Sequence, residues 1–318
     1  MDLTYRLSNE ANSGNLYPDP SKNSTPTEIA KLFELYKREK LYVDNLSERT
    51  LRCYTQVFNR WEKYIGGMPT KQGLKDFVIA MREAGLSPVT VNISIRSFNS
   101  FLTWLKKNKH TKKRLRLKKI KEEQRVLKTF TDEQLKALLH WRPNQERRNE
   151  CRVYALLCTL TDCGFRISEC LGIELSKIDF NNLLITVTGK GNKERIVPMS
   201  VELRKTLYRY IQKHRITKFD SKYLFCTSMG TKLTYRNAYR DLEAVMLSVG
   251  VDKNAIDGFF HAFRRKFARS YVKTGGNLFY LQTAMGHSTL QMTKRYVEVE
   301  ADDLKEAHVK TSLLSRLR

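Results

Sequence analysis

"LLITVTGKGNKERIVPM", residues 183–199, decides what kind of fold this chain can make. Apolar and polar residues alternate before Gly189, the stretch Gly189–Asn192 supplies a turn, and alternation resumes toward Met199. A period of two on both sides of a glycine-containing turn predicts a β-hairpin. Almost everywhere else the apolar period is three to four. "EIAKLFELYKREK" (28–40) puts Ile29, Leu32, Phe33 and Tyr36 on one stripe. "SERTLRCYTQVFNRWEKYI" (47–65) does the same with Leu51, Tyr54, Phe58, Trp61 and Ile65. The fold class is therefore mainly α with a small antiparallel β-sheet.

Working outward, residues 1–26 are polar, rich in Asn, Ser and Pro, and read as a flexible N-terminal segment. They carry neither a cationic start nor an apolar run, so no secretion signal is expected. Two more helices follow the first two: one from about Thr70 to Ala84, stopped by Gly85, and one opened by Ser87-Pro88 and carrying Ile95, Phe98, Leu102 and Leu105. Together they predict a helical domain over 27–110. The stretch 106–128 holds twelve Lys and Arg against two Glu. Charges this dense cannot be buried unpaired, so 111–128 reads as a basic linker, either solvated or laid along a polyanion. A second domain, 129–300, opens with the capping-box pattern "TDEQ" at Thr131 and continues with a helix near Cys151–Thr161. After the hairpin the pattern is helical to the end. A final segment, 301–318, places Leu304, Ala307, Leu314 and Leu317 at helical spacing.

Composition limits the function classes. The 318 residues carry 58 Lys and Arg against 33 Asp and Glu, a formal charge of +25, and the pI is about 9.8. Such a chain points to a phosphate polymer as partner, since neutralising phosphates releases counterions. No apolar run approaches membrane-spanning length. Six cysteines are scattered without a CxxC pair or zinc-ligand spacing, which predicts free buried thiols and a cytoplasmic setting.

Four short stretches of the second domain carry candidate chemistry. "CGFRISE" places Arg166 at a turn before a helix, with Glu169 one helical turn on. The hairpin tip "GKGNKER" offers Lys190 and Lys193. "HAFRRKFARS" sets His261 and Arg264 one turn apart, with Phe263 and Phe267 on the opposite side. "GHSTLQMTKRY" ends the series with His287 and, nine residues later, Tyr296. Singly each is ordinary: a surface ion pair, exposed lysines, a structural His-x-x-Arg.

In this order the four stretches resemble the tyrosine recombinase (integrase) family. That resemblance implies a helical core-binding domain, a basic linker and a catalytic domain, and it covers most of the chain. It implies catalytic roles for Arg166, Lys190, His261, Arg264, His287 and the nucleophile Tyr296, with Glu169 steadying the first arginine. Lys193 shares the hairpin with Lys190, so the choice between the two stays open. No cofactor or metal is expected, because paired guanidinium groups replace the cation that other phosphoryl-transfer enzymes recruit. Duplex DNA is the expected partner, gripped in part through Lys112, Lys113, Arg114, Lys118, Lys119 and Lys193, by a homotetramer on two duplexes. The 301–318 helix would dock on a neighbouring protomer or pack on its own domain. Residues 1–26 are too few for a separate arm-binding domain, so the simpler Xer-like architecture is expected. A type IB topoisomerase and a non-catalytic DNA-binding regulator are the alternatives.

Overall fold

A computed structural model of the chain describes residues 27–123, 127–189, 191–287, 289, 290, 293, 312 and 314. The expected N-terminal segment 1–26 and nearly all of the expected C-terminal helix lie outside these residues. The described chain forms two compact units that divide near residue 125.

The first unit is built from α1 (Glu28–Tyr42), α2 (Glu48–Tyr64), α3 (Lys71–Glu83) and α4 (Pro88–Lys107). Each starts where the sequence provides a hydroxyl. Thr27, Ser47, Thr70 and Ser87 are the four N-caps, each accepting from the backbone N–H three residues on. The stripes meet in an aromatic core: Phe33 stacks on Phe58 at 4.0 Å, and Trp61 on Phe98 at 4.8 Å. The basic stretch after α4 has no regular secondary structure up to residue 123. Leu115, Leu117 and Ile120 nevertheless pack into the same core, while Lys112, Lys113, Arg114, Lys118 and Lys119 are exposed.

The second unit opens at α5 (Asp132–His140), whose Thr131 and Gln134 form both hydrogen bonds of a capping box. At its centre runs α6 (Arg148–Cys163), buried along most of its length and packed against helices introduced below. The short α7 (Ile167–Cys170) leads into a three-stranded antiparallel sheet, β1 (Ile178–Asp179), β2 (Leu184–Thr188) and β3 (Glu194–Pro198), in that order. The β2–β3 register pairs Ile185 with Val197 and Val187 with Arg195. Ile185, Val187 and Val197 are buried, so one face of the hairpin belongs to the core. Next come α8 (Val201–Arg209), α9 (Tyr235–Ser248), α10 (Phe259–Lys273) and α11 (Leu278–Met285).

Between α8 and α9 the helical expectation fails. Residues 215–234 form a loop with two isolated antiparallel bridges, Glu174 to Tyr223 and Cys226 to Lys232. Leu224 and Phe225 are adjacent and both fully buried, and their backbone groups pair with other segments rather than along a helix. The Leu224 N–H donates to the Ile173 carbonyl at 2.8 Å, and the Leu233 N–H to that of Phe225 at 3.1 Å. All six thiols are free; Cys53 and Cys158 are only partly buried.

Candidate active site

The site assembles where five elements of the second unit meet: the C-termini of α6 and α11, the start of α7, strand β3 and the second turn of α10. Helix α6 stops at Gly164, a left-handed residue at φ 58° that has no room for a side chain. An added Cβ there would lie 2.3 Å from the Phe267 ring. The close approach of α6 and α10 lets Arg264, on α10, donate through Nη1 to the Gly164 carbonyl at 2.8 Å. Its Nη2 donates to the carbonyl of Met285, the last residue of α11. One guanidinium thus satisfies orphan carbonyls at two helix C-termini, where the macrodipole favours a cation. Arg264 is 1% exposed.

Arg166 is the N-cap of α7. Its Nη1 donates to Glu169 Oε1 at 2.7 Å and to the Met285 carbonyl at 3.3 Å, and its backbone N–H donates to Glu169 Oε2 at 2.8 Å. Glu169 is buried, so this pair differs from a surface ion pair at the same spacing. Arg166 itself keeps 27% of its side chain exposed.

Glu169 has a second partner that sequence reasoning missed. Arg195 on β3 grips it with two parallel bonds, Nη1 to Oε1 at 3.0 Å and Nη2 to Oε2 at 2.8 Å, and donates Nε to the Ala284 carbonyl at 2.7 Å. The signal was the phase of the hairpin. Val197 and Met199 face the core, so Arg195, two residues earlier, shares their face, while Ile196 points outward at 58% exposure. Gly286, at φ 61°, makes room for it: an added Cβ would lie 3.1 Å from the Arg195 side chain. Burial alone would push the Glu169 carboxyl up, but hydrogen bonds from Arg195 and Arg166 outweigh it and hold its pKa down at about 2.

His287 follows α11 and is buried. Its Nε2 lies 3.1 Å from Arg264 Nη2 and its Nδ1 2.9 Å from the hydroxyl of Thr293, which is fully buried. A guanidinium can only donate, so Nε2 accepts and Nδ1 carries the proton toward Thr293. Burial, with Arg264, Arg166 and Arg195 nearby, lowers the His287 pKa to about 4. Three guanidinium groups therefore face one carboxylate and a neutral imidazole, a buried cluster with cationic charge in excess. Such a site suits an anion, and guanidinium geometry suits the paired oxygens of a phosphate.

The other expected residues divide. His261, one turn before Arg264 on α10, is exposed, so the two do not share an environment. Lys193 is exposed at the hairpin tip, where its carbonyl accepts from the Gly189 N–H at 2.8 Å. Lys190 and Tyr296 lie outside the described residues. Among the described residues no group of three His, Cys, Asp or Glu is placed to hold a metal ion.

Comparison with known proteins shows the family. The sequence profile of the phage integrase family matches residues 128–302, more than half of the chain. The tyrosine recombinase XerA of Thermococcus kodakarensis is 27% identical over 92% of this chain and 99% of its own. The tyrosine recombinase XerD of Proteus mirabilis reaches 31% over 58% and 59%. Among solved structures, the Tn1549 transposon integrase in complex with a circular intermediate DNA superposes with a TM-score of 0.71 at 20% identity, covering 90% of this chain and 100% of that one. The XerH recombinase bound to a palindromic difH substrate gives 0.68 at 17%, covering 87% and 83%; both likenesses concern the fold. The chain belongs to the phage integrase family, as a site-specific DNA recombinase of the tyrosine class.

Proposed function

We propose that this recombinase opens one strand of duplex DNA by attack of Tyr296 on a phosphodiester held between Arg166 and Arg264. The observation that carries the reading is the buried cluster itself: Arg166, Arg195 and Arg264 set around a single carboxylate, beside a neutral His287. Arg195 is committed to Glu169 and Ala284. Arg166 makes its hydrogen bonds through Nη1, and among the described residues its Nε and Nη2 make none, which leaves a fork for the non-bridging oxygens. In the pentavalent transition state those oxygens gain negative charge, and fixed cations stabilise it there more than in the ground state.

The remaining steps are assigned by role. The Tyr296 oxygen forms the bond to phosphorus, and the bond from phosphorus to the 5′-oxygen breaks. His261 accepts the phenol proton, and Lys190, or Lys193 on the same hairpin, delivers a proton to the leaving 5′-oxygen. The products are a 3′-phosphotyrosyl link and a free 5′-hydroxyl. The link conserves the energy of the phosphodiester, so a partner strand's 5′-hydroxyl can reverse the step without fuel. His287 completes the cradle. Entry of the phosphate anion offsets the arginine charges that depress its pKa, and an imidazole released from Arg264 can then donate Nε2–H to a phosphate oxygen.

The expected setting is a homotetramer on two duplexes in the cytoplasm, with residues 301–318 of each protomer docked on the next. The net charge of +25 and a structural neighbour solved in complex with DNA support duplex DNA as partner. The test is a trapping experiment on a nicked duplex that loses its 5′-fragment after cleavage. Digestion of the trapped adduct should give one nucleotide-bearing peptide, containing Tyr296. An adduct on another residue would refute the reading.

A further inference from the structure

The basic stretch after α4 is tied down by two asparagine side chains, and this bears on how the chain meets DNA. Asn99 donates Nδ2 to the Leu117 carbonyl at 2.9 Å and accepts from the Leu117 N–H at 2.8 Å. Seven residues earlier on the same helix, Asn92 does the same with Ile120, at 2.9 Å for both bonds, and donates at 3.1 Å to Glu122 Oε2. The two spacings match in length. Seven helical residues rise about 10.5 Å, and three extended residues span about 10 Å. Each side-chain amide stands where a neighbouring β-strand would offer its backbone, so the peptide groups of Leu117 and Ile120 are satisfied without a sheet. Leu115, Leu117 and Ile120 then turn inward, and a third tie comes from Lys106 Nζ to the Lys112 carbonyl at 2.7 Å. Every lysine and arginine from 112 to 121 is left exposed on the outer side.

We propose that Asn92 and Asn99 are positioning residues for the phosphate backbone of duplex DNA, because they hold the 112–121 strap as a preformed cationic ridge. The proposal rests on the reading above that the chain acts on duplex DNA. A tether with the same charges would have to be ordered by the DNA at the moment of binding, at a cost in backbone entropy for each residue fixed. A strap already clamped to α4 has met that cost in folding. Only an amide serves at these positions: a carboxylate cannot donate to the carbonyl, and alanine leaves both backbone groups unpaired.

The experiment compares the full-length wild type with the Asn92→Ala/Asn99→Ala double variant, which has the same formal charge. Two quantities are read: the rate at which trypsin cuts within the strap, and affinity for a short duplex of arbitrary sequence across a salt series. The double variant should be cut faster and bind about tenfold or more weakly, since DNA must now order the strap itself. Its log–log salt slope should stay that of the wild type, because the phosphate contacts remain the same in number. A strap that is cut faster with no loss of affinity would overturn the proposal, as would a strap that stays protected without its amides. If the double variant does not melt cooperatively, Asn99→Ala alone, which leaves the Asn92 clamp, decides by the same two readings at smaller size. A wild-type protein that binds no duplex would remove the DNA reading and the proposal with it; a protected strap in that protein would show that the clamp is structural only.

Discussion

At the residue scale, Glu169 and His287 record in their ionisation what the site is built to hold. Glu169 stays a carboxylate down to about pH 2 because Arg195 and Arg166 grip it against the penalty of burial. His287 stays neutral down to about pH 4 because it is buried among three guanidinium groups. Both folded-state values lie below the ordinary ones, so the unfolded chain binds more protons and stability rises with pH. For His287 the contribution is complete above its ordinary pKa, near 6.5, and is lost as pH falls from there to about 4. A displacement of that size corresponds to something on the order of 3 kcal/mol. Urea unfolding of the wild type should therefore weaken across that window, whereas His287→Asn should be much flatter there. Equal slopes for the two proteins would show that His287 titrates normally in the fold. Adding a phosphate analogue should raise the wild-type midpoint of this loss, since an anion in the cluster favours the imidazolium.

At the element scale, the β2–β3 hairpin joins the core to the site, and it shows what was legible in the sequence. Its existence, its turn and the surrounding helices were legible because periodicity and Ser or Thr N-caps are local signals: Ser87 and Thr131 cap as the sequence suggests, and Thr27, Ser47 and Thr70 cap in the same way. Arg166, Arg264 and His287 were legible as a set only through the family resemblance, since nothing local says that the ends of α6 and α11, the start of α7 and the second turn of α10 meet at one point. Arg195 was hidden because it breaks the polarity rule: a charged residue faces in and its apolar neighbour Ile196 faces out. The clamp by Asn92 and Asn99 was hidden for a related reason, since a charge-dense stretch reads as solvated until its partners are known. The hairpin also poses the proton-donor question. If Lys190 serves the leaving group, Lys190→Ala should cleave ordinary DNA poorly and recover with a 5′-bridging phosphorothiolate, whose sulfur departs without a proton. Recovery by Lys193→Ala in its place would move the role to Lys193.

At the scale of the whole molecule, the proposed tetramer would give this strongly cationic chain of two compact units a restraint against cutting before assembly. The stripe Leu304, Ala307, Leu314 and Leu317 follows the proposed nucleophile Tyr296 and would serve a neighbour in a closed ring of protomers. Burial of apolar area contributes about 25 cal/mol per Å² wherever it occurs, so its removal identifies the surface it covered. Truncation after Ala301 should leave the melting temperature and single-duplex binding close to wild type while pairing of two duplexes and full recombination fall. A truncated chain that unfolds as a monomer would show that the helix packs on its own domain. All of this presupposes that the arginine cluster presents a phosphodiester to one nucleophile. The most direct test is Tyr296→Phe, incubated with a cleavable duplex and resolved under denaturing conditions beside the wild type. Duplex binding should be undiminished and no covalent protein–DNA adduct should form; an adduct that survives the loss of this one hydroxyl would rule out Tyr296 as the nucleophile.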